Sequence, residues 1–241
     1  MKRATELDRE KTHGERRGSR EYLNSLIIAL QTHDSVGNQP QGKRLHHLAG
    51  VEFQMAAAPL FWLYPAIPMM FMGEEFAAES PFMFFADFLE QKLRRNVNRG
   101  RRKEYPHHDW SHSIQPSNER AFFDCKLKLP ESDDHVLAWY RKLIALRKTW
   151  QQQGLLCPEN LSVACDVEKG IFGFNYQLGD ENVFVASSLS NVHASSKGEE
   201  VNLVDGEIVL DSRQNRVLEA VGGKLQLQPN HAIVGRGRLE F

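Results

Sequence analysis

Two pairs of neighbouring ionisable residues each follow a short apolar run. His33 and Asp34 follow the run at residues 26–30, and Glu74 and Glu75 follow the run at residues 67–72. Short continuous apolar runs are typical of strands buried in a parallel sheet. Enzymes built on parallel sheets present catalytic groups at the carboxyl ends of their strands. His33 and Asp34 are therefore candidate site residues, although a lone His-Asp pair after a strand is usually a structural hydrogen bond.

The elements that must position these groups alternate between strands and helices. We predict strands at residues 26–30 and 67–72, a helix at residues 43–62 between them, and a basic helix at residues 92–102. A longer helix is predicted at residues 135–150, with Asp133 or Asp134 as its N-cap. The order strand, loop, helix, strand is the alternation of a parallel α/β fold.

The pattern of predicted secondary structure changes near residue 153. Short β-rich runs follow at residues 161–167, 171–178, 182–189, 207–210, 224–227 and 232–234, with glycine-containing turns between them. Many short strands at this spacing predict a small antiparallel β-sandwich. We therefore divide the chain into a charged flexible lead at residues 1–22, an α/β region at 23–152 and a β-sandwich at 153–241.

Composition excludes several classes of protein. The 241 residues carry a formal net charge of −1, so neither a nucleic acid nor an anionic membrane is an expected partner. A hydrophobic content of 41% predicts a sizeable core. The longest apolar region, residues 55–72, is interrupted by three prolines and predicts no membrane span. An odd number of cysteines, three, predicts free thiols and a reducing cytoplasmic location.

Three segments carry a resemblance to a known family. Residues 32–38, THDSVGN, resemble the segment N-H-D-Q-[IV]-G-N-R, and residues 67–76, IPMMFMGEEF, resemble a strand with its following loop. Residues 81–88, PFMFFADF, are similar to an aromatic segment that ends in F-T-D-H. Together the three segments resemble those of the α-amylase superfamily of glycoside hydrolases, of the malto-oligosyltrehalose trehalohydrolase type. Four positions depart from the motifs, and they are Thr32, Ser35, Gln39 and Phe88.

The resemblance implies a fold and a set of site residues. The fold is α/β plus all-β: the C-terminal part of a (β/α)8 TIM barrel, with strands seven and eight and their helices, followed by a small antiparallel β-sandwich. Asp34 takes the role of a catalytic carboxylate that stabilises the transition state. The resemblance implies no metal and no cofactor, and it assigns substrate binding to Gln31, His33, Asn38, Glu75 and Asp87.

The same resemblance implies that two catalytic groups are missing. A retaining glycosidase needs a nucleophile and a general acid about 5–5.5 Å apart. In this superfamily they follow strands four and five, which would precede Met1, so the chain alone is expected not to hydrolyse a glycosidic bond. The parent reaction would be hydrolysis of the α-1,4 bond next to a terminal trehalose unit in maltooligosyltrehalose.

The expected partners are a maltooligosaccharide or maltooligosyltrehalose and an N-terminal barrel portion. Two alternatives stay open, a part of an α-1,4-glucan branching enzyme and a non-catalytic carbohydrate-binding protein.

Simpler interpretations also apply to individual residues. Glu74 is expected to be a solvated loop residue, and the four phenylalanines between residues 82 and 88 mostly to fill a core. The basic run at residues 94–103 is expected to be a solvated helix face. The three histidines at residues 107–112 lack the spacing of a metal site, so a surface loop is predicted there.

Overall fold

The computed structural model describes residues 23–130, 134–189, 198–213 and 223–240. The predicted flexible lead at residues 1–22 lies outside these ranges. The described residues form a region of helices around two short parallel strands, followed by a six-stranded antiparallel sheet. The change from parallel to antiparallel strands thus falls where the sequence predicts it.

The first region contains two strands and six helices among its described residues. Strand β1 (Ile27–Ile28) pairs in parallel with β2 (Ile67–Pro68), and Ile27 lies opposite Ile67. Between the strands lie α1 (His33–Gly37), α2 (Leu45–Ala49) and α3 (Val51–Trp62). After β2 come a 3-10 turn (Glu74–Phe76), α4 (Gln91–Glu104), α5 (Glu119–Phe123) and α6 (His135–Gln152). Asp134 caps α6, because its carboxylate accepts a hydrogen bond from the amide of Val136 at 3.2 Å.

The two parallel strands are shorter and more exposed than predicted. Each spans two residues, and the side chains of Ile27 and Ile67 are 66% and 49% exposed. The prediction that these strands are buried on both faces is therefore wrong for the described structure. An apolar run shows that a strand suits burial, but burial also requires neighbouring strands, and the described part of this sheet has only two.

The helix predicted at residues 43–62 is two helices. Gly50 separates α2 from α3, and its backbone φ of +93° lies in a region that favours glycine. Side-chain spacing alone did not indicate this break, because the apolar periodicity continues across it. None of the helices in the described ranges has both the length and the apolar character that a bilayer crossing needs.

Six strands form the antiparallel sheet. They are β3 (Leu161–Asp166), β4 (Ile171–Leu178), β5 (Glu181–Ser188), β6 (Glu199–Asp211), β7 (Lys224–Leu227) and β8 (His231–Glu240), in the order β3-β4-β5-β8-β6-β7. The described strands therefore make one continuous sheet, which differs from the two separate sheets of a predicted sandwich. The spacing of short strands predicts antiparallel pairing but does not show where hydrogen bonding between neighbours would stop.

Both faces of the sheet are buried. On one face, α3 and α6 pack against β4, β5 and β8, and Trp139 of α6 donates from Nε1 to the carbonyl of Met55 at 3.0 Å. Tyr176 of β4 donates from its hydroxyl to the carbonyl of Leu63 at 2.8 Å. On the other face, strand residues pack on one another within the described ranges, and they include Ile171, Phe184, Val201, Leu225 and Ile233. A single core thus crosses the predicted boundary at residue 153.

One buried cation fixes the turn between α3 and β2. Arg147 of α6 donates from Nη1 to the carbonyls of Trp62 and Tyr64 at 2.6 and 2.8 Å. It also donates from Nη2 to the carbonyl of Ala66 at 2.6 Å. One of the three carbonyls belongs to the last residue of α3 and the other two follow the helix, so the guanidinium supplies donors that the helix end lacks.

Candidate functional site

His33 and Asp34 lie at the start of α1, which residues 29–32 connect to the end of β1. Their side chains are 71% and 74% exposed, and His33 Nε2 lies 3.4 Å from Asp34 Oδ1. An exposed pair of this kind contributes little to stability. The carboxylate of Asp34 is therefore accessible to a ligand and is not consumed by a structural role.

Two departures from the family motif cap the helix that carries Asp34. Thr32 Oγ1 accepts from the amide of Ser35 at 3.0 Å, and Ser35 Oγ accepts from the amide of Thr32 at 2.8 Å. This reciprocal arrangement is a capping box, which satisfies two amides at the start of the helix. Thr32 and Ser35 thus fix the backbone on both sides of Asp34.

Asn38 at the end of α1 is bound by an arginine from α4. Arg101 donates from Nη2 to Asn38 Oδ1 at 2.8 Å and to the carbonyl of Gly37 at 3.2 Å. Its guanidinium lies 4.4 Å from the ring centre of Phe84, and only 8% of the residue is exposed. The prediction of a solvated basic face is therefore wrong for Arg101, because a helix pattern does not show which arginine meets a neighbouring loop.

Gln31 and Glu74 form a buried polar cluster beneath the two strand ends. Gln31 Nε2 donates to Glu74 Oε2 at 3.2 Å, and Gln31 Oε1 accepts from the amide of Leu45 at 2.7 Å. The hydroxyl of Tyr140 donates to Glu74 Oε1, also at 3.2 Å. Gln31 is 3% exposed and Glu74 is fully buried. The expectation of a solvated Glu74 is wrong, since the loop after β2 turns this carboxyl inward.

Burial changes the acidity of this cluster. Removal from water raises the pKa of Glu74 to about 7, and the charge of Glu75 adds to the rise. The hydrogen bonds from Gln31 and Tyr140 act in the opposite direction on the same pKa and are outweighed. Burial also raises the pKa of the Tyr140 hydroxyl well above its usual value. Near neutral pH, Glu74 is present in both protonation states.

The two remaining sugar-binding candidates are held separately. Glu75 is half-buried, and its Oε2 has no hydrogen-bond partner within the described ranges. Asp87 is exposed and pairs with Arg94, whose Nη2 lies 2.6 Å from Asp87 Oδ1. No hydrogen bond or ion pair among the described residues joins Asp34 to either carboxylate. The structure therefore brings together Gln31 with Glu74 and Asn38 with Arg101, but not the full predicted set.

A third buried arginine, Arg44, holds the loop that carries Glu74 and Glu75. It donates from Nε to the carbonyl of Ser80 at 2.7 Å and from Nη1 to that of Met72 at 2.8 Å. Burial lowers the pKa of this guanidinium from its usual value. Sequence reasoning missed Arg44 and Tyr140 because their partners are loop backbone and a distant carboxyl, which no local pattern indicates.

One histidine cluster has the composition of a metal site. Ligand atoms of His46, His47 and Glu79 lie within 4.8 Å of one another. However, His47 Nδ1 accepts a hydrogen bond from the amide of Arg44 at 3.3 Å, so its neutral ring carries the proton on Nε2, facing Glu79. In a metal-binding histidine the ring nitrogen that does not bind the metal usually donates a hydrogen bond, whereas His47 Nδ1 accepts one, so this arrangement does not suit a resident cation.

Comparison with known proteins shows where the chain belongs. No family model matches it. It is 34% identical over 225 residues to a malto-oligosyltrehalose trehalohydrolase of Saccharolobus solfataricus, covering 93% of this chain and 36% of the relative. It is 33% identical over 173 residues to the Arthrobacter ramosus protein of the same name, covering 69% of this chain and 29% of that relative.

A solved structure agrees with these relatives. The chain superimposes on a structure described as a putative alpha amylase from Salmonella typhimurium with a TM-score of 0.71 and 28% identity. The superposition covers 90% of this chain and 36% of the other. The chain belongs to the α-amylase superfamily. It is a trehalohydrolase-like α-amylase superfamily chain that spans about a third of the length of the curated relatives it matches.

This identity confirms the family predicted from the three sequence segments. The segments that contain His33-Asp34, Glu74-Glu75 and Asp87 are therefore those of an α-amylase superfamily protein. The described residues contain two parallel strands and no closed barrel.

Proposed function

We propose that this chain supplies one wall of an α-glucan-hydrolysing site, with Asp34 as the carboxylate that stabilises the transition state. The observation that carries the proposal is the accessible carboxylate of Asp34 on a capped helix, at the carboxyl end of a strand paired in parallel. A fixed carboxylate beside the sugar ring stabilises the positive charge that develops during glycoside cleavage. The proposed parent reaction is hydrolysis of the α-1,4 bond next to a terminal trehalose unit in maltooligosyltrehalose.

The structure supports different roles for the predicted sugar-binding residues. His33 is exposed beside Asp34, and we assign it a hydrogen bond to a sugar hydroxyl. Asp87 and Glu75 remain proposed contacts from neighbouring loops. Gln31 and Asn38 are occupied by Glu74 and Arg101, so we assign them to positioning the strand end and α1 rather than to direct contact.

The proposed nucleophile and general acid come from an N-terminal barrel portion that completes the site. The chain would contribute two of the eight barrel strands, and the sheet of residues 161–240 would be the accompanying β domain. The described strand pair leaves both of its edges open to further strands. The proposed partner is thus a set of parallel strands that pairs with β1 and β2.

A complementation assay tests the proposal. The chain is co-expressed with the N-terminal two-thirds of the Saccharolobus solfataricus relative, and trehalose release from maltotriosyltrehalose is measured. We expect release from the pair and none from the chain alone. Asp34→Asn should lower the turnover of the pair about 100-fold or more, because a preorganised charge at the reacting centre is lost.

The matched control is Asp180→Asn, which changes an exposed carboxylate in the turn between β4 and β5. It should leave turnover unchanged. Equal activity of the Asp34→Asn and wild-type pairs would contradict the role of Asp34. Formation of α-1,6 branches in place of trehalose would favour the branching alternative, and sugar binding without turnover would favour the non-catalytic one.

A further inference from the structure

A buried chain of hydrogen bonds joins the loop after β2 to the strand end that leads into α1. Gln31 lies directly before Thr32, the N-cap of α1, and its side chain is bonded at both ends. Its Nε2 donates to Glu74 Oε2 at 3.2 Å, and its Oε1 accepts from the amide of Leu45 at 2.7 Å. Because both ends are occupied, a change at Glu74 is transmitted to Gln31 and to the backbone that follows it.

The two bonds of Gln31 also determine where Glu74 can hold a proton. Since the amide oxygen of Gln31 accepts from Leu45, its NH2 group is the one that faces Glu74. Glu74 Oε2 is therefore an acceptor in both protonation states, and an added proton resides on Oε1, which faces the Tyr140 hydroxyl. That hydroxyl can then turn its own hydrogen to Gln54 Oε1, which has no partner among the described residues.

The surroundings of Glu74 set the pH at which it ionises. Burial raises its pKa to about 7, and the charge of Glu75 adds to the rise. The hydrogen bonds from Gln31 and Tyr140 lower the same pKa, as does the charge of Arg44, whose guanidinium donates to two loop carbonyls. By linkage, a hydrogen bond that favours the ionised form of Glu74 is itself stronger when Glu74 is ionised.

We infer that Glu74 is a positioning residue for Asp34, acting through Gln31, and that its ionised form holds the start of α1 more firmly than its neutral form. A charge-assisted hydrogen bond is about twice as strong as a neutral one. The side chain of Asp34 is exposed, so its position depends on the backbone that begins at Gln31. The inference rests on the proposed function for the role of Asp34, whereas the chain of bonds stands on its own residues.

An NMR titration of the purified 241-residue chain from pH 5.5 to pH 8.5 tests the inference without any turnover. His33→Gln is introduced into every sample, because an imidazole beside these amides would titrate in the same range. The amides of Asp34, Ser35 and Leu45 should then shift with a midpoint near pH 7, where Glu74 ionises. Adding Glu74→Gln should abolish this shift.

Gln31→Met and Tyr140→Phe form a matched pair, since each removes one donor to the Glu74 carboxyl. Each should raise the titration midpoint of the Glu74 carboxyl signal by about one pH unit, as expected for the loss of a hydrogen bond to a charged group. Only Gln31→Met should remove the shift at the amides of Asp34 and Ser35. If Gln31→Met does not fold, Gln31→Asn, which is too short to reach both partners, replaces it.

Turnover of the pair co-expressed for the complementation assay gives a second measurement. Glu74→Gln represents the neutral form at every pH. The ratio of wild-type kcat to Glu74→Gln kcat should be near 1 at pH 5.5 and about 3 to 10 at pH 8, with KM nearly unchanged. Glu168→Gln, at an exposed carboxylate in the turn between β3 and β4, should give a ratio that does not change with pH.

Two results would overturn the inference from the chain alone. One is the absence of titration at the amides of Asp34 and Ser35 when Glu74 is present, and the other is equal titration in Gln31→Met and Tyr140→Phe. A ratio of kcat values that stays constant with pH in an active pair would overturn it as well. An inactive pair contradicts the proposed function, and the NMR titration then decides the role of Glu74 by itself.

Discussion

Glu74 is an acid enclosed by the fold, and none of the described cationic side chains donates a hydrogen bond to it. Its two oxygens accept from Gln31 and Tyr140, and burial raises its pKa from 4.5 to about 7. Between about pH 4.5 and pH 7 the folded chain therefore binds more protons at Glu74 than the unfolded chain does. The free energy of unfolding falls as pH rises through this window, by about 3 kcal/mol in total.

Glu74→Gln should remove this pH dependence. The amide keeps the shape of the protonated carboxyl, and Gln54 Oε1, which has no partner in the described residues, offers an acceptor for the Tyr140 hydroxyl. Chemical denaturation at pH 5 and pH 8 measures the effect. From pH 5 to pH 8, we expect the free energy of unfolding to fall by about 2 kcal/mol more in the wild-type chain than in Glu74→Gln.

Glu168→Gln, an exposed change in the turn between β3 and β4, serves as the control and should follow the wild-type pH profile. Parallel profiles for wild type and Glu74→Gln would show that Glu74 titrates as an ordinary solvated carboxyl.

Arg101 is the side chain that ties α1 to α4. Arg101→Met keeps an apolar stem but removes the bonds to Gly37 and Asn38. We expect the free energy of unfolding to fall by about 1–3 kcal/mol, the usual range for a hydrogen bond from a charged donor. Hydrogen exchange at the amides of residues 34–38 should become faster, because the end of α1 is no longer held.

Arg102→Met is a matched control, since the neighbouring side chain is exposed and has the same charge. It should change the free energy of unfolding by less than about 0.5 kcal/mol. Hydrogen exchange at the amides of α1 should stay at the wild-type rate. If both variants behave alike, the buried contacts of Arg101 contribute nothing to the position of α1.

At the scale of elements, the break between α2 and α3 depends on one glycine. Gly50 adopts a φ of +93°, and an added Cβ would also approach the carboxylate of Glu52 at 3.5 Å. Gly50→Ala should cost about 1–3 kcal/mol in the free energy of unfolding, because a side chain strains this backbone region. Thermal and urea denaturation measure the change.

At Gly100, substitution by alanine should have the opposite effect on the free energy of unfolding. It lies inside α4, and an added Cβ would meet no atom within 4 Å. Gly100→Ala should stabilise the chain by about 1 kcal/mol, the difference in helix propensity. Destabilisation of similar size at both positions would show that the backbone at Gly50 is not special.

Elements with strong local patterns are predicted well from the sequence. The capped helix α6 begins where Asp134 indicates, and β4 and β7 have the predicted bounds. The site is predicted less well. Glu74 is buried by Gln31 and Tyr140, which lie 43 and 66 positions away along the chain. No local pattern reports such contacts, so the sequence alone indicates a solvated loop.

At the scale of the whole molecule, helices and sheet share one core. Phe174, Tyr176, Val183 and Val234 of the sheet lie in the same buried cluster as Trp139. A chain limited to residues 153–241 would expose this face to water. We expect it to unfold at a lower temperature than the whole chain and to bind a hydrophobic dye, because apolar burial supplies most of the stability.

If the 153–241 fragment binds no dye and melts at the temperature of the whole chain, the sheet is stable without the helices. The comparison also needs the complementary fragment, residues 23–152, which loses the same contacts. Its own unfolding, measured by circular dichroism, should be weakly cooperative, since its two-stranded sheet buries little.

The three hydrogen bonds from Arg147 to the end of α3 and the turn after it have a consequence for the order of folding events. The guanidinium comes from a position more than 80 residues downstream of the carbonyls that it binds. Contacts so distant along the chain form late, after the entropy of closing the intervening loop has been offset. Arg147→Met should then accelerate unfolding while folding stays close to the wild-type rate in stopped-flow measurements. The orientation of β2 relative to α3 is therefore expected to be fixed late in folding.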